Sequence, residues 1–165
     1  MKTISPETVE ETWQKIAEMD PETAGTAMFA FSESQPNLLG FVMAFSEELE
    51  TDAAELSTYM LYVVYQMFAD SAKSDIPIVT DEQIETQYQS ICDLLEKVHE
   101  SDGDPEAAGV EAQLDNQPHV YQYVSEVLLE ENEDPEERMN ISEEEVGEIF
   151  MMMKCVIDVV DSVTN

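Results

Sequence analysis

The chain has 165 residues, 43% of them hydrophobic, with 38 acidic against 6 basic side chains and a formal charge of −32. That length and apolar content suffice for a core-bearing fold and argue against wholesale disorder. The charge argues against direct binding of nucleic acid or of an anionic membrane, and favours basic proteins and cations as partners.

The opening stretch "MKTISPETVEETWQ" has no apolar run of the kind a secretory leader needs, so a cytoplasmic protein is expected. Ser5-Pro6-Glu7 reads as a helix start: a capping hydroxyl, a proline whose missing N–H costs nothing there, and an acid that suits the helix dipole. The helix it opens carries Val9, Trp13 and Ile16 on one face. Asp20-Pro21-Glu22 repeats the signal, and Gln35-Pro36 is a start with a weaker cap. Thr51-Asp52 opens a long helix with Leu56, Tyr59, Met60, Val63 and Met67 along one side. Leu61, Tyr62, Tyr65 and Phe68 lie off that side, so this helix is apolar nearly all round and is expected at the centre of the fold. Its greasiest run, Tyr59 to Ala69, has about half the length of a membrane span. "IPIVT" from Ile76 reads as a linker.

After it, Thr80-Asp81 opens a helix with Ile84, Tyr88, Ile91, Leu95 and Val98 in phase. Asp104-Pro105-Glu106, Gln117-Pro118 and Asp134-Pro135-Glu136 are further starts. Ser142 with Glu145 has the spacing of a capping box, before a helix with Val146, Ile149, Phe150, Met153, Ile157 and Val160 on one face. Met151, Met152 and Met153 point three ways around it, as core packing or as an adaptable surface.

These landmarks predict an all-α fold of about eight helices. They also fall into two series in the same order, suggesting an internal duplication. "DPETAG" at Asp20 returns as "DPEAAG" at Asp104, the Gln-Pro starts recur 82 residues apart, and Val9, Trp13 and Ile16 match Ile84, Tyr88 and Ile91 at an offset of 75. Two tandem four-helix units are therefore expected, over residues 4–73 and 79–165, packed through their long fourth helices into one compact domain.

Chemistry is sparse. A carboxylate-bridged metal bundle needs two Glu-x-x-His motifs, and only Glu96 to His99 supplies one, because His119 has no glutamate three residues before it. The acidic run around Asp102 lacks the glycine and the final glutamate of a calcium loop. Cys92 and Cys155 sit beside neither a glycine turn nor an activating base, and read as reduced core thiols. No metal, no cofactor and no catalytic group is expected, and the chain reads as a non-enzyme.

The acid itself is uneven, with net −11 over residues 1–78 and net −21 over 79–165. Ten acids fall between Glu126 and Glu145: Glu126, Glu130, Glu131, Glu133, Asp134, Glu136, Glu137, Glu143, Glu144 and Glu145. These are the candidate partner-binding residues; the bland alternative is a solvated acidic loop. The function expected is an interaction or regulatory protein that binds a basic partner through its acidic second half. Three rivals stand beside it: a nucleic-acid mimic that inhibits a DNA-binding protein, a halophilic-type protein whose acidity has no partner, and a carboxylate metal bundle. Leftover apolar surface would also suit a homodimer.

Overall fold

The computed structural model of the protein describes residues 2–101, 103, 116–130 and 140–164. Among them every regular element is a helix: α1 (Pro6–Ala17), α2 (Pro21–Ser34), α3 (Pro36–Ser46), α4 (Thr51–Ser71), α5 (Asp81–Glu100), α6 (Pro118–Leu129) and α7 (Glu143–Val163). The starts expected at Asp104 and Asp134 lie outside the described residues. So do Glu131, Glu133, Asp134, Glu136 and Glu137. Residues 73–80, with "IPIVT", form a helix-free connection.

Local chemistry sets most of the boundaries. The Ser5 hydroxyl accepts from the Thr8 N–H and the Asp20 carboxylate from the Thr23 N–H, each ahead of a proline in the first turn. Thr80 with Gln83, and Ser142 with Glu145, form complete capping boxes. Helix α5 is closed by Gly103 at φ 77°, whose N–H returns to the Val98 carbonyl at 2.8 Å.

Helices α4 and α7 run against each other through the centre and share the most extensive contact of any pair among the described residues. Met60 to Tyr65 of α4 and Met152 to Ile157 of α7 are unbroken buried runs, so both helices are covered on all sides. Four of the other described helices pack around them in matching pairs: α1 on α4 and α5 on α7; α3 on α4 and α6 on α7; α6 against α1 and α3 against α5; α2 packs on α3.

Two long-range clasps follow the same pattern. Gln35 and Gln117 open α3 and α6 without capping them, in nearly the same backbone conformation, and both are fully buried. The Gln35 amide accepts from the Val79 N–H (3.0 Å) and donates to the Pro77 carbonyl (2.9 Å), holding the approach to α5. The Gln117 amide accepts from the Ile4 N–H (2.9 Å) and donates to the Lys2 carbonyl (3.4 Å), holding the approach to α1. A buried amide is tolerable only when its donors and acceptors are paired, and these two pair with backbone segments that have no helix to satisfy them.

Several residues expected in the core stand at its edge. On α1 the buried row is Val9, Thr12 and Ile16, which leaves Trp13 38% exposed. Thr12 tolerates burial because its hydroxyl donates to Asp70 at 2.9 Å. On α5 only Ile84 and Ile91 are buried, with Tyr88 and Leu95 turned outward, and on α4 Tyr59 is likewise exposed.

Candidate functional site

Because Thr12 takes the inward position, Trp13 faces sideways into a recess between α1 and α6 of about 250 Å³. Val9, Glu10 and Trp13 form one wall; Tyr123 and Glu126 form the other. Past Trp13 and Tyr123 the recess widens into a mostly apolar hollow of about 640 Å³ that reaches the exposed Leu129 and Glu130. Tyr123 packs inward as α6 meets the core, and burial pushes its hydroxyl well above the ordinary tyrosine range, so it stays neutral. The Gln14 amide steadies Glu10 (3.1 Å) and the Gln122 amide steadies Glu126 (3.0 Å), each from one turn away on its own helix. The result is a solvent-open aromatic surface framed by three carboxylates.

Of the acids singled out from the sequence, Glu126 and Glu130 thus line one recess. Glu143, Glu144 and Glu145 lie elsewhere, in the first turn of α7, where their charge suits the helix dipole. Glu145 is engaged structurally. Its two oxygens accept from the Ser142 N–H (3.1 Å) and from the Glu50 N–H (2.9 Å) just ahead of α4. In the opposite direction, Asp52 of α4 accepts from the Asn140 N–H (2.9 Å), so the starts of the two central helices are tied to each other.

The Ser142 and Glu50 backbone donors hold the Glu145 carboxyl below its ordinary 4.5. A depressed folded-state value means that its contribution is present above the ordinary carboxylate range and is lost as pH falls through the folded value. The melting-temperature gap between wild type and Glu145→Gln is therefore expected to be open at neutral pH and to close in acid. Thermal melts across that range check this; a gap that persists in acid would contradict it.

A second constellation was not anticipated from the sequence. Lys154, Asp158 and Asp161 follow each other at four- and three-residue spacing on α7, in the midst of its buried face. Lys154 is 3% exposed, and its ammonium meets the Asp158 carboxylate at 2.6 Å. The Tyr121 hydroxyl donates to the other Asp158 oxygen at 2.6 Å, while Lys154 also lies over the Tyr121 ring, 5.6 Å from its centroid. The Gln117 amide donates to Asp161 at 2.9 Å, which connects the cluster to the clasp on Ile4. Burial, then the Asp158 charge, push the Tyr121 hydroxyl far up, so it acts as a hydrogen-bond donor and not as an acid. The signal was present in the sequence: three charges in helical register inside an otherwise apolar stretch.

Other candidates carry less. Cys155 is buried, donates to the Ile84 carbonyl at 3.7 Å, and is pushed up to about 12 chiefly by burial, which suppresses the thiolate at neutral pH. Cys92 is half-buried on α5. Glu96 and His99 lie exposed near the end of α5. Among the described residues no three His, Cys, Asp or Glu side chains are grouped to hold a metal ion, and no helix is long and apolar enough to cross a membrane. Comparison with known protein families, with curated proteins and with solved structures finds no match to this chain.

Proposed function

We propose that this protein is a non-enzymatic binding protein that takes a basic amphipathic segment of a partner into the recess between α1 and α6. The observation that carries this reading is Trp13 beside Tyr123, exposed among Glu10, Glu126 and Glu130. A lysine or arginine laid across Trp13 packs its aliphatic stem on the ring, gains a cation–π contact and sets its charge against the carboxylates. The −32 overall charge would steer such a partner from a distance and confer a strong salt dependence. Apolar residues of the same segment would cover the hollow leading to Leu129. The acidic second half then contributes to the site mainly through α6, with α1 of the first half as the opposite wall.

The same reading includes the duplication. The paired helix contacts, the two glutamine clasps and the repeated proline starts support two related units, 4–73 and 79–165, each handing an element to the other.

Calorimetric titration with a two-heptad leucine–lysine peptide tests the function. Binding with a Kd on the order of micromolar is expected at low salt, weakening about tenfold or more in half-molar salt. Absence of binding at low salt would overturn the proposal and favour acidity as a salt adaptation. Binding that ignores salt would overturn it too.

A further inference from the structure

We infer that the protein carries a second receptor of the same kind, between α3 and α5, and binds two basic segments at once. This rests on the function proposed above. The recess there measures about 440 Å³, and its walls are built on the same spacings. On α1 the sequence Val9-Glu10 is followed three residues after the glutamate by Trp13; on α5, Ile84-Glu85 is followed in the same way by Tyr88. On the opposite wall, the aromatic stands five residues after the helix-opening proline in both cases, Tyr123 after Pro118 and Phe41 after Pro36.

The exposure matches as well. Tyr88 is 40% exposed against 38% for Trp13, so each recess offers an aromatic face to solvent beside a glutamate one turn earlier on the same helix. Tyr88 makes edge contacts with Phe41 (centroids 6.3 Å, planes at 69°) and Phe45 (6.1 Å, 70°), which orient its ring. Gly40 stands where the other recess has Gln122, so this wall carries no side chain at that point, and a Cβ placed at Gly40 would meet nothing within 4 Å.

The occupant is fixed by charge. Asp81 and Glu85 line this recess and no basic residue does, so an acidic or neutral segment gains no electrostatic attraction there, while a lysine or arginine finds a carboxylate and an aromatic face together.

Two reporters separate the sites. The chain has one tryptophan, Trp13, so its emission follows the α1/α6 recess; in a Trp13→Phe, Tyr88→Trp variant the emission follows the α3/α5 recess instead. With the leucine–lysine peptide, calorimetry on the wild-type protein is expected to give two peptides per chain. Both reporters are expected to shift to the blue, and Glu85→Lys is expected to weaken only the second, with about a five-fold rise in its apparent Kd. Both Tyr88 and Glu85 are at exposed positions, so neither change disturbs the core. A stoichiometry of one, or a silent Tyr88→Trp reporter beside a responsive Trp13, overturns the second receptor and leaves the first standing. If neither reporter responds, the underlying function fails with it.

Discussion

Asp158→Ala is expected to destabilise the protein by about 3–5 kcal/mol, as the loss of one member of a buried charge network does. Asp158 accepts simultaneously from Lys154 and the Tyr121 hydroxyl, both at 2.6 Å, and more distantly from Asn116 at 3.4 Å. Alanine removes all three acceptor contacts while the lysine stays 3% exposed and cannot reach full hydration in place. A neutral pair avoids that penalty, because desolvating two charges nearly cancels their attraction. Lys154→Met combined with Asp158→Leu is therefore expected to recover part of the loss, the remainder being the Tyr121 hydroxyl left without its acceptor. Urea unfolding of wild type, single and double variants measures this. A single-variant loss below about 1 kcal/mol would mean that water reaches the cluster and that it resembles a surface pair.

Reversing the recess charges is expected to weaken peptide binding about thirty-fold. Glu10→Lys with Glu126→Lys replaces two attractive contacts by repulsive ones, each worth about 1 kcal/mol at an exposed site. The same change in net charge placed at Glu33 and Asp75, exposed positions on α2 and in the connection before α5, serves as the control. Long-range steering responds equally to both pairs, whereas a located site responds to the first. A several-fold loss at most is expected for Glu33→Lys with Asp75→Lys. Equal losses from the two pairs would mean that the peptide answers to total charge alone. Isothermal titration on both double variants decides between these.

The helix starts were legible because capping is local chemistry. A hydroxyl or carboxylate, a proline and an acid in succession fix a boundary without reference to the rest of the chain, as at Ser5 and Asp20. The central place of α4 was legible for a related reason, since no face of "YMLYVVYQMF" suits water. What periodicity could not supply was the centre of each buried stripe. Val9, Trp13 and Ile16 share a face by spacing, yet the inward row runs through Thr12, which required Asp70, 58 residues away, to satisfy its hydroxyl. The outward turn of Trp13 and Tyr88, and hence both recesses, follows from that kind of tertiary choice.

Gln35 and Gln117 show the same limit from the polar side. Each looked like an indifferent cap, and their partners, Val79 and Ile4, are 44 and 113 residues distant. Among the acids, sequence density gave equal weight to Glu126 and Glu130, which line the recess, and to Glu145, which does not. That carboxylate is committed to the Glu50 N–H, 95 residues away, a contact invisible to any local count of charge. Glu10, in a less acidic part of the chain, drew no attention because only the fold sets it across the groove from α6.

Trp13 gives direct access to the site, being the single tryptophan and standing 38% exposed on its wall. Acrylamide quenching of its fluorescence, with and without a saturating leucine–lysine peptide at low salt, reports whether the peptide covers that wall. The expected result is a clear drop in quenching with a blue-shifted emission, both reversed in half-molar salt. A peptide that saturates the protein by calorimetry yet leaves Trp13 as accessible as before would place the binding surface elsewhere and contradict the function proposed for this recess.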